Sequence, residues 1–227
     1  MNCYFKEHCP YRLAKCSNHC NLMLEFNYLM DNSNIPDGFK SIGQKIFPEE
    51  IDLEAFSTLN EIKLDIEHFV GDGRFLYLWS SHTGNYKTTW AMKLLKTYLA
   101  MVALGNNFKD RAWVEYVPSF LLSSKNFEDN EERLQHIERV TYSDLVILDD
   151  IGAVQNSSYD ITILSSVIDY RYSHRLSTIF TSNLSIAALN NSVGARITDR
   201  MTSDIVIEFC GGSRRISTNK YVRGDAH

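Results

Sequence analysis

Short apolar segments alternate with longer amphipathic ones along most of the chain, and this alternation restricts the fold more than any other feature. The apolar segments have the length and composition of strands. They are Phe75–Trp79, Trp113–Val117, Asp144–Leu148, Ser177–Thr181 and Ile205–Phe209. Helices are predicted between them at Thr88–Leu104 and Ile161–Tyr172, with a polar, partly helical region from Pro118 to Tyr142. The pattern predicts an α/β fold, with a parallel sheet between two layers of helices.

Three regions are predicted along the 227 residues. Residues 1–35 form a cysteine-rich N-terminal module, and the turn-forming sequence at 31–38 follows as a linker. Residues 36–70 contain the rest of that linker and one amphipathic helix at Glu49–Val70, while residues 71–223 form the α/β core. A chain of this length buries a sizeable core without disulfide bonds.

Composition restricts the compartment and the partners. The chain has 44% hydrophobic and 22% charged residues, which is ordinary for a soluble protein, and no run of 18 apolar residues. Its first 11 residues carry charges and cysteines where a signal peptide has an apolar run, so we expect a cytoplasmic protein that does not enter a membrane. The net charge of −5 favours a protein partner over coating DNA alone, although a local patch can still hold DNA.

The first predicted strand is followed by a sequence that resembles a P-loop. Residues 81–88 read Ser-His-Thr-Gly-Asn-Tyr-Lys-Thr, where a P-loop has G-x-x-x-x-G-K-[ST] between a strand and a helix. Lys87 is placed to reach the terminal phosphates of a nucleotide, and the Thr88 hydroxyl is placed to bind Mg²⁺. The predicted phosphate-binding positions are Gly84, Asn85, Tyr86, Lys87, Thr88 and Thr89. The backbone N–H groups at the start of the following helix complete this anion site.

Two residues depart from the P-loop pattern, Ser81 at its first glycine and Tyr86 at its last. Glycine directly before the lysine lets the backbone curl tightly against the phosphates. We therefore expect the ring of Tyr86 to block the pocket or to force the loop open, which puts hydrolysis in question.

The strand at 144–148 ends in two carboxylates, Asp149 and Asp150. Parallel strands deliver such residues to the edge of the sheet where ligands bind. Asp149 is predicted to hold the Mg²⁺ shell, and Asp150 to orient or deprotonate the attacking water. The alternative is a buried strand followed by an aspartate that caps a helix. Asn183 ends the next strand and is placed to bond the γ-phosphate or the water.

Arginines follow in two pairs. Arg196 and Arg200 lie four residues apart on one helix face, and Arg214 and Arg215 are adjacent. Such arginines are usually solvated, but in an oligomeric ATPase one of them acts on the nucleotide of a neighbouring subunit.

With these segments in order, the chain resembles the DnaC/DnaI-type replicative helicase loaders of the AAA+ superfamily, and the resemblance favours a phage-encoded member, which would place it in the bacterial host cytoplasm. The resemblance spans about two-thirds of the chain. It rests on Leu76–Thr89, Arg111–Leu122, Asp144–Ala153, Arg171–Leu184 and Gly194–Arg215. The related transposition helper ATPases share much of this pattern.

The resemblance implies a role for each matching residue. Lys87 and Thr88 match Walker A, Asp149 and Asp150 match Walker B, and Asn183 matches sensor 1. Arg200 is similar in position to the arginine finger, with Arg196 beside it. Arg215 matches the sensor 2 arginine, and Arg214 is close enough to take its place. The family further implies ATP and ADP as ligands, assembly into a spiral or ring, contact with single-stranded DNA, and a hexameric replicative helicase of the DnaB/DnaC type as partner. It also implies that the N-terminal module, residues 1–35, binds this helicase.

Four cysteines lie within the first 20 residues, at Cys3, Cys9, Cys16 and Cys20. They supply enough thiolates for a closed tetrahedral Zn²⁺ site, and His8 or His19 is placed to substitute for one of them. A metal would supply folding energy that a module of this size lacks. Buried or oxidised thiols are the alternative.

The sequence thus predicts an AAA+ P-loop core with a small N-terminal zinc-binding module, in an ATPase that loads a helicase onto single-stranded DNA. The alternatives are a nucleotide-binding adaptor with little or no ATPase activity and a transposition helper ATPase. A stand-alone ATPase or kinase would need an intact P-loop.

Overall fold

The computed structural model describes residues 3–5, 9, 20–41, 46–105, 111–123, 130–153 and 157–213, without the side chains of residues 123, 130, 132 and 133. The helices in these ranges are α1 (Asn21–Asp31), α2 (Asp37–Lys40), α3 (Leu53–Leu64), α4 (Ile66–Gly71), α5 (Lys87–Leu104), α6 (Val117–Ser123), α7 (Asn130–Tyr142), α8 (Ser158–Ser173), α9 (Ile186–Val193) and α10 (Ala195–Met201). The strands are β1 (Phe75–Trp79), β2 (Ala112–Tyr116), β3 (Leu145–Ile151), β4 (Ser177–Ser182) and β5 (Ile205–Glu208). A 3₁₀ turn at Glu50–Asp52 precedes α3.

The five strands form one parallel sheet in the order β2-β3-β4-β1-β5. The α/β fold and the parallel sheet predicted from the sequence are therefore confirmed. The strand β4 lies between β1 and β3, so the loop after β1 and the acidic end of β3 flank the polar end of β4. This order brings the three predicted nucleotide-binding segments to one edge of the sheet.

Alternating side chains of each strand divide the core into two layers, because successive residues of a strand point to opposite faces. In β1, Leu76 and Leu78 join the apolar cluster under α1, α3, α4 and α5. Phe75 and Tyr77 join the cluster on the opposite face, where α6 to α10 contribute residues such as Leu164 and Ile197. Both faces of the sheet are covered, which explains why its strands are apolar on both sides.

The predicted helix at Glu49–Val70 is broken, and this part of the prediction was wrong. The segment forms a 3₁₀ turn and then α3 and α4, which meet at Asp65 with φ −117° and ψ 36°. The change of direction allows α3 to bury Phe56 and Leu59 while α4 buries Phe69. Apolar spacing alone did not distinguish one long helix from two short ones.

The predicted second strand, Trp113–Val117, also shifts by one residue. The strand β2 ends at Tyr116, and Val117 begins α6. Pro118 explains this boundary, since proline cannot donate to a strand ladder and fits the first turn of a helix.

The helix α1 packs on α5 and shares its apolar core. It buries Leu22, Phe26 and Leu29, among others, in the cluster that α5 also enters. Upstream, the Tyr4 hydroxyl lies 3.2 Å from Thr97 Oγ1 on α5, and the Tyr4 and Phe26 rings are 4.7 Å apart. The domain boundary at residue 35 stays a prediction. The described N-terminal residues nevertheless pack into the same apolar core as residues of the 71–223 region.

None of the described helices has the length and apolar character needed to cross a membrane.

Candidate functional site

The loop after β1 curls back on itself and ends at the first residue of α5. Gly84 has a φ of 78°, and Tyr86 has a φ of 73° and a ψ of 2°. The buried Asn85 side chain fixes the turn, because its Nδ2 donates to Ser80 Oγ and to Phe209 O, the latter at 3.4 Å. Lys87 Nζ donates to His82 O and to Asn85 Oδ1, both at 3.0 Å. The ammonium therefore lies inside the curled loop, where a P-loop lysine meets phosphate.

Tyr86 adopts the left-handed backbone conformation that glycine favours, so the tyrosine does not open the loop. Its ring lies edge-on to Phe56 of α3, with centroids 6.4 Å apart and an interplanar angle of 81°. The ring packs against the apolar cluster that contains α3, and Tyr86 is one of the residues that line an open cavity. The ring therefore does not fill the pocket, contrary to the expectation from the sequence.

The two motifs meet through direct side-chain contacts at Asp149. Its Oδ1 accepts hydrogen bonds from Thr88 Oγ1 at 2.8 Å and from Thr181 Oγ1 at 2.6 Å. Burial raises the pKa of the Asp149 carboxyl, and these two bonds partly offset that effect. A half-buried carboxylate beside a threonine hydroxyl is an oxygen-rich donor set that suits Mg²⁺. The residues predicted to hold the metal therefore fit it.

Asp150 continues the acidic edge with a φ of 64°. Its backbone N–H donates to Thr181 Oγ1 at 2.9 Å, and Asn183 Nδ2 donates to its Oδ1 at 3.3 Å. Tyr116 lines the same cavity as these carboxylates, and slight burial together with the nearby Asp150 and Asp149 raises the pKa of its hydroxyl. Sequence reasoning missed Thr181 and Tyr116. Their only signal was that each lies at or near the end of a strand beside the acids.

A cavity of about 640 Å³ unites these groups. It is lined by residues 83–89, by Asp149, Asp150, Thr181 and Asn183, and by two aromatic residues, Phe39 and Tyr116. The structure therefore brings together all predicted residues of the P-loop, of the acidic strand end and of the next strand end. The cavity holds a basic group, two acids, hydroxyls and an amide, as binding of a metal-bound polyphosphate requires.

The predicted arginines lie elsewhere. Arg196 and Arg200 on α10 both contact Asp169 of α8, Arg196 Nη2 at 2.7 Å from Oδ2 and Arg200 Nη1 at Oδ1. The Arg200 guanidinium also lies over the Tyr172 ring, 5.3 Å from its centroid. Neither arginine lines the cavity of its own chain, and their predicted action on the nucleotide of a neighbouring subunit stays a prediction. Arg214 and Arg215 lie outside the described residues.

The cysteines do not assemble into a metal site in the part of the chain that the structure describes. Cys3, Cys9 and Cys20 are half-buried and pack against the apolar cluster around α1 and α5. Among the described residues, no group of three or more histidine, cysteine, aspartate or glutamate side chains is placed to hold a metal. The fourth predicted ligand, Cys16, and the substitutes His8 and His19 lie outside those residues. The described residues thus give the zinc prediction no support.

Comparison with known proteins relates the chain to helicase loaders. No family model matches it. It is 34% identical over 99 residues to the replicative helicase loader DnaC of Buchnera aphidicola subsp. Schizaphis graminum, covering 43% of this chain and 38% of that protein. It is 29% identical over 94 residues to the replicative helicase loader DnaI of Bacillus subtilis, covering 40% of this chain and 30% of that protein. The chain therefore matches less than half the length of these relatives.

Solved structures extend the similarity to the fold. A crystal structure of the DnaC helicase loader superposes with a TM-score of 0.59 at 19% identity, covering 73% of this chain and 94% of that one. A DnaI crystal structure gives 0.59 at 20% identity, covering 78% and 95%. AMPPCP-bound DnaA from Aquifex aeolicus gives 0.55 at 16% identity, covering 72% and 48%. In sequence and in fold, the chain is thus similar to the DnaC/DnaI-type helicase loaders, as its motifs predicted.

Proposed function

We propose that this chain binds ATP with Mg²⁺ in the cavity at the edge of its sheet and helps to load a replicative helicase onto single-stranded DNA. The hydrogen bond from Thr88 Oγ1 to Asp149 Oδ1 carries the nucleotide part of this proposal, because it joins two motifs 61 residues apart. The named relatives carry the helicase part, since both are replicative helicase loaders.

In this proposal, different residues of the chain bind the phosphates and the metal ion of the nucleotide. The backbone N–H groups of residues 84–88 and the start of α5 bind the phosphate oxygens. Lys87 exchanges its bonds to His82 O and Asn85 Oδ1 for the terminal phosphates. Thr88 and Asp149 hold the Mg²⁺, which neutralises phosphate charge when bound.

In this proposal, Asp150 and Asn183 take part in hydrolysis. Asp150 orients the attacking water and accepts its proton, and the amide of Asn183 fixes the carboxylate that does so. Arg200 or Arg196 of a neighbouring subunit stabilises the charge that develops on the transferred group. That step requires self-association into a spiral or ring, and requires that the arginine leave Asp169.

The second candidate is an adaptor that binds nucleotide and hydrolyses little of it. The internal bonds of Lys87 favour this candidate, because they keep the ammonium satisfied without a phosphate. The left-handed conformation of Tyr86 also strains the loop, at a cost of about 1–2 kcal/mol. The transposition helper shares the same core, but the named sequence relatives are helicase loaders.

Two experiments test the proposal. The full chain should capture the host replicative helicase from purified components, and capture should depend on ATP; no capture under any nucleotide condition would reject the loader function.

In ATPase assays with and without single-stranded DNA, Asp150→Ala should lower turnover by about 100-fold or more while nucleotide binding is retained. A wild type that binds ATP but never turns it over would favour the adaptor, and a variant that turns over normally would reject the role of Asp150.

A further inference from the structure

The segment at residues 33–41, here named the connector, follows α1 and runs along the edge of the sheet. Val114 of β2 donates its backbone N–H to Ser33 O at 3.0 Å. Asn34 Nδ2 returns a bond to Val114 O at 2.8 Å. The strand β2 is an edge strand, so these bonds satisfy backbone groups that would otherwise face solvent. The start of the connector is therefore fixed to the sheet.

The other end of the connector is fixed to α5. Lys96 is only 8% exposed, and its Nζ donates to Phe39 O at 2.8 Å and to Ser41 O at 3.1 Å. A buried ammonium needs such acceptors, because leaving it unpaired is costly. The connector is thus held by both the sheet and the helix that carries the P-loop lysine.

Between these two anchors, the connector forms one wall of the nucleotide cavity. Phe39 lines the 640 Å³ cavity together with the P-loop and the two acids. Residues 34–37 line a second cavity of about 450 Å³, which Tyr116 and Asp149 also line. Because Tyr116 and Asp149 line both cavities, the connector borders the site on the side of the Mg²⁺-binding carboxylate.

The connector is also continuous with α1 through a buried contact. Ser33 Oγ donates to Leu29 O, in the last turns of α1, at 2.6 Å. Lys40 in turn pairs with Asp31 at the end of α1, at 3.2 Å. Two side-chain contacts therefore hold the connector to the end of α1, the element that precedes the nucleotide-binding core.

We infer that Phe39 is a nucleotide-binding residue and that nucleotide occupancy is coupled to docking of the connector and α1. This inference rests on the proposed nucleotide site. A ligand that touches Phe39 only when the connector is docked stabilises the docked arrangement, and docking strengthens nucleotide binding by the same factor. The connector thereby links the phosphate site to the N-terminal segment, which the family resemblance predicts to contact the helicase.

Hydrogen exchange of the full chain with and without Mg²⁺ and AMPPCP tests the coupling. We expect the analogue to slow exchange at residues 84–88, and to slow it at least about threefold at residues 33–41 and in α1. Slowing at residues 84–88 with no change at residues 33–41 would overturn the inference and leave the nucleotide site intact. No slowing at either segment would show that the analogue does not bind, which rejects the proposed site and the inference together.

A variant pair tests the contact itself. Phe39→Ala should weaken AMPPCP binding by about three- to tenfold, because an aromatic contact in the wall is lost. Phe47→Ala is the matched control, since Phe47 is 66% exposed and is not among the residues that line the cavity. Equal affinity of Phe39→Ala and wild type would overturn the assignment of Phe39. Thermal unfolding of both variants checks that each is folded at the temperature of the titration.

Discussion

At the scale of single residues, Tyr86 shows which part of a motif the fold requires. The P-loop position before the lysine keeps a positive φ although its residue is not glycine. The sequence identified the position and the departure, but it could not show where the ring would go. The ring is accommodated because Phe56, 30 positions upstream, lies beside it. A contact of that kind depends on the packing of α3, which no local pattern determines.

Tyr86→Gly tests whether the ring obstructs the site. The change removes the left-handed strain of about 1–2 kcal/mol and also the edge-on ring contact of about 0.5–1.5 kcal/mol, so stability should change by less than about 1.5 kcal/mol. Since the ring does not fill the cavity, the dissociation constant for Mg²⁺-ATP should change less than about threefold. Isothermal titration measures it. A much tighter complex in the variant would mean that the ring blocks the pocket after all.

Asp149→Asn tests whether the ionised carboxylate of Asp149 destabilises the metal-free fold. Burial raises the pKa of Asp149 in the folded chain, so the folded wild type loses stability as pH rises from the unfolded pKa through the folded one. The amide of the variant does not ionise. The metal-free variant should therefore be more stable than the wild type at about pH 7.5, and this advantage should vanish below about pH 4, where the wild-type carboxyl is protonated in both states.

Urea unfolding across this pH range measures the difference. Adding Mg²⁺ with ATP should reverse the order, because ligand binding stabilises only a chain that holds the metal. A metal-free wild type more stable than the variant at about pH 7.5 would contradict this account.

At the scale of elements, Arg171 holds several segments together from a fully buried position on α8. Its guanidinium donates to the carbonyl oxygens of Val140, Thr141, Ser143 and Ser177 and to the hydroxyl of Thr178. It thereby joins the end of α7 to the starts of β3 and β4. The sequence placed this arginine next to the end of a predicted helix, where a solvated side chain would be the ordinary expectation.

Arg171→Lys should destabilise the fold by about 3 kcal/mol, since one ammonium with three N–H groups cannot reach five separated acceptors. Arg175→Lys is the matched control, because Arg175 is exposed and its substitution should change stability by less than about 0.5 kcal/mol. Chemical denaturation compares the two. Equal effects of the two substitutions would mean that the buried bonds contribute no net stability.

Strands were predicted better than the helices and the N-terminal segment. Each core strand is short, apolar and bounded by polar residues, and its existence follows from those local features. The break at Asp65 and the packing of α1 on α5 do not follow from local features, because both depend on which apolar surfaces are available in three dimensions. The cysteine spacing predicted a metal. The described cysteines pack against apolar side chains, and because Cys16 lies outside the described residues, the zinc site stays a prediction.

At the scale of the whole molecule, the parallel sheet assembles the site. Lys87, Thr88, Asp149, Asp150 and Asn183 come from three separate segments, and the strand order brings them to one cavity. This convergence could be predicted because parallel strands end at the same edge. The contribution of Phe39 could not be predicted from the sequence, since the connector reaches the cavity only through its contacts with β2 and α5. The pairing of both α10 arginines with Asp169 could not be predicted from local sequence patterns either.

The most direct test of the account is an equilibrium titration of the full chain with a fluorescent ATP analogue in the presence of Mg²⁺. Lys87→Ala should bind about tenfold to 100-fold more weakly than wild type, because its ammonium is the positive group inside the curled loop. Lys93→Ala is the control, since Lys93 lies on α5 over the Trp90 ring, outside the residues that line the cavity, and should bind as wild type does. Equal binding by Lys87→Ala and wild type would contradict the claim that this loop and the facing acids form one nucleotide site.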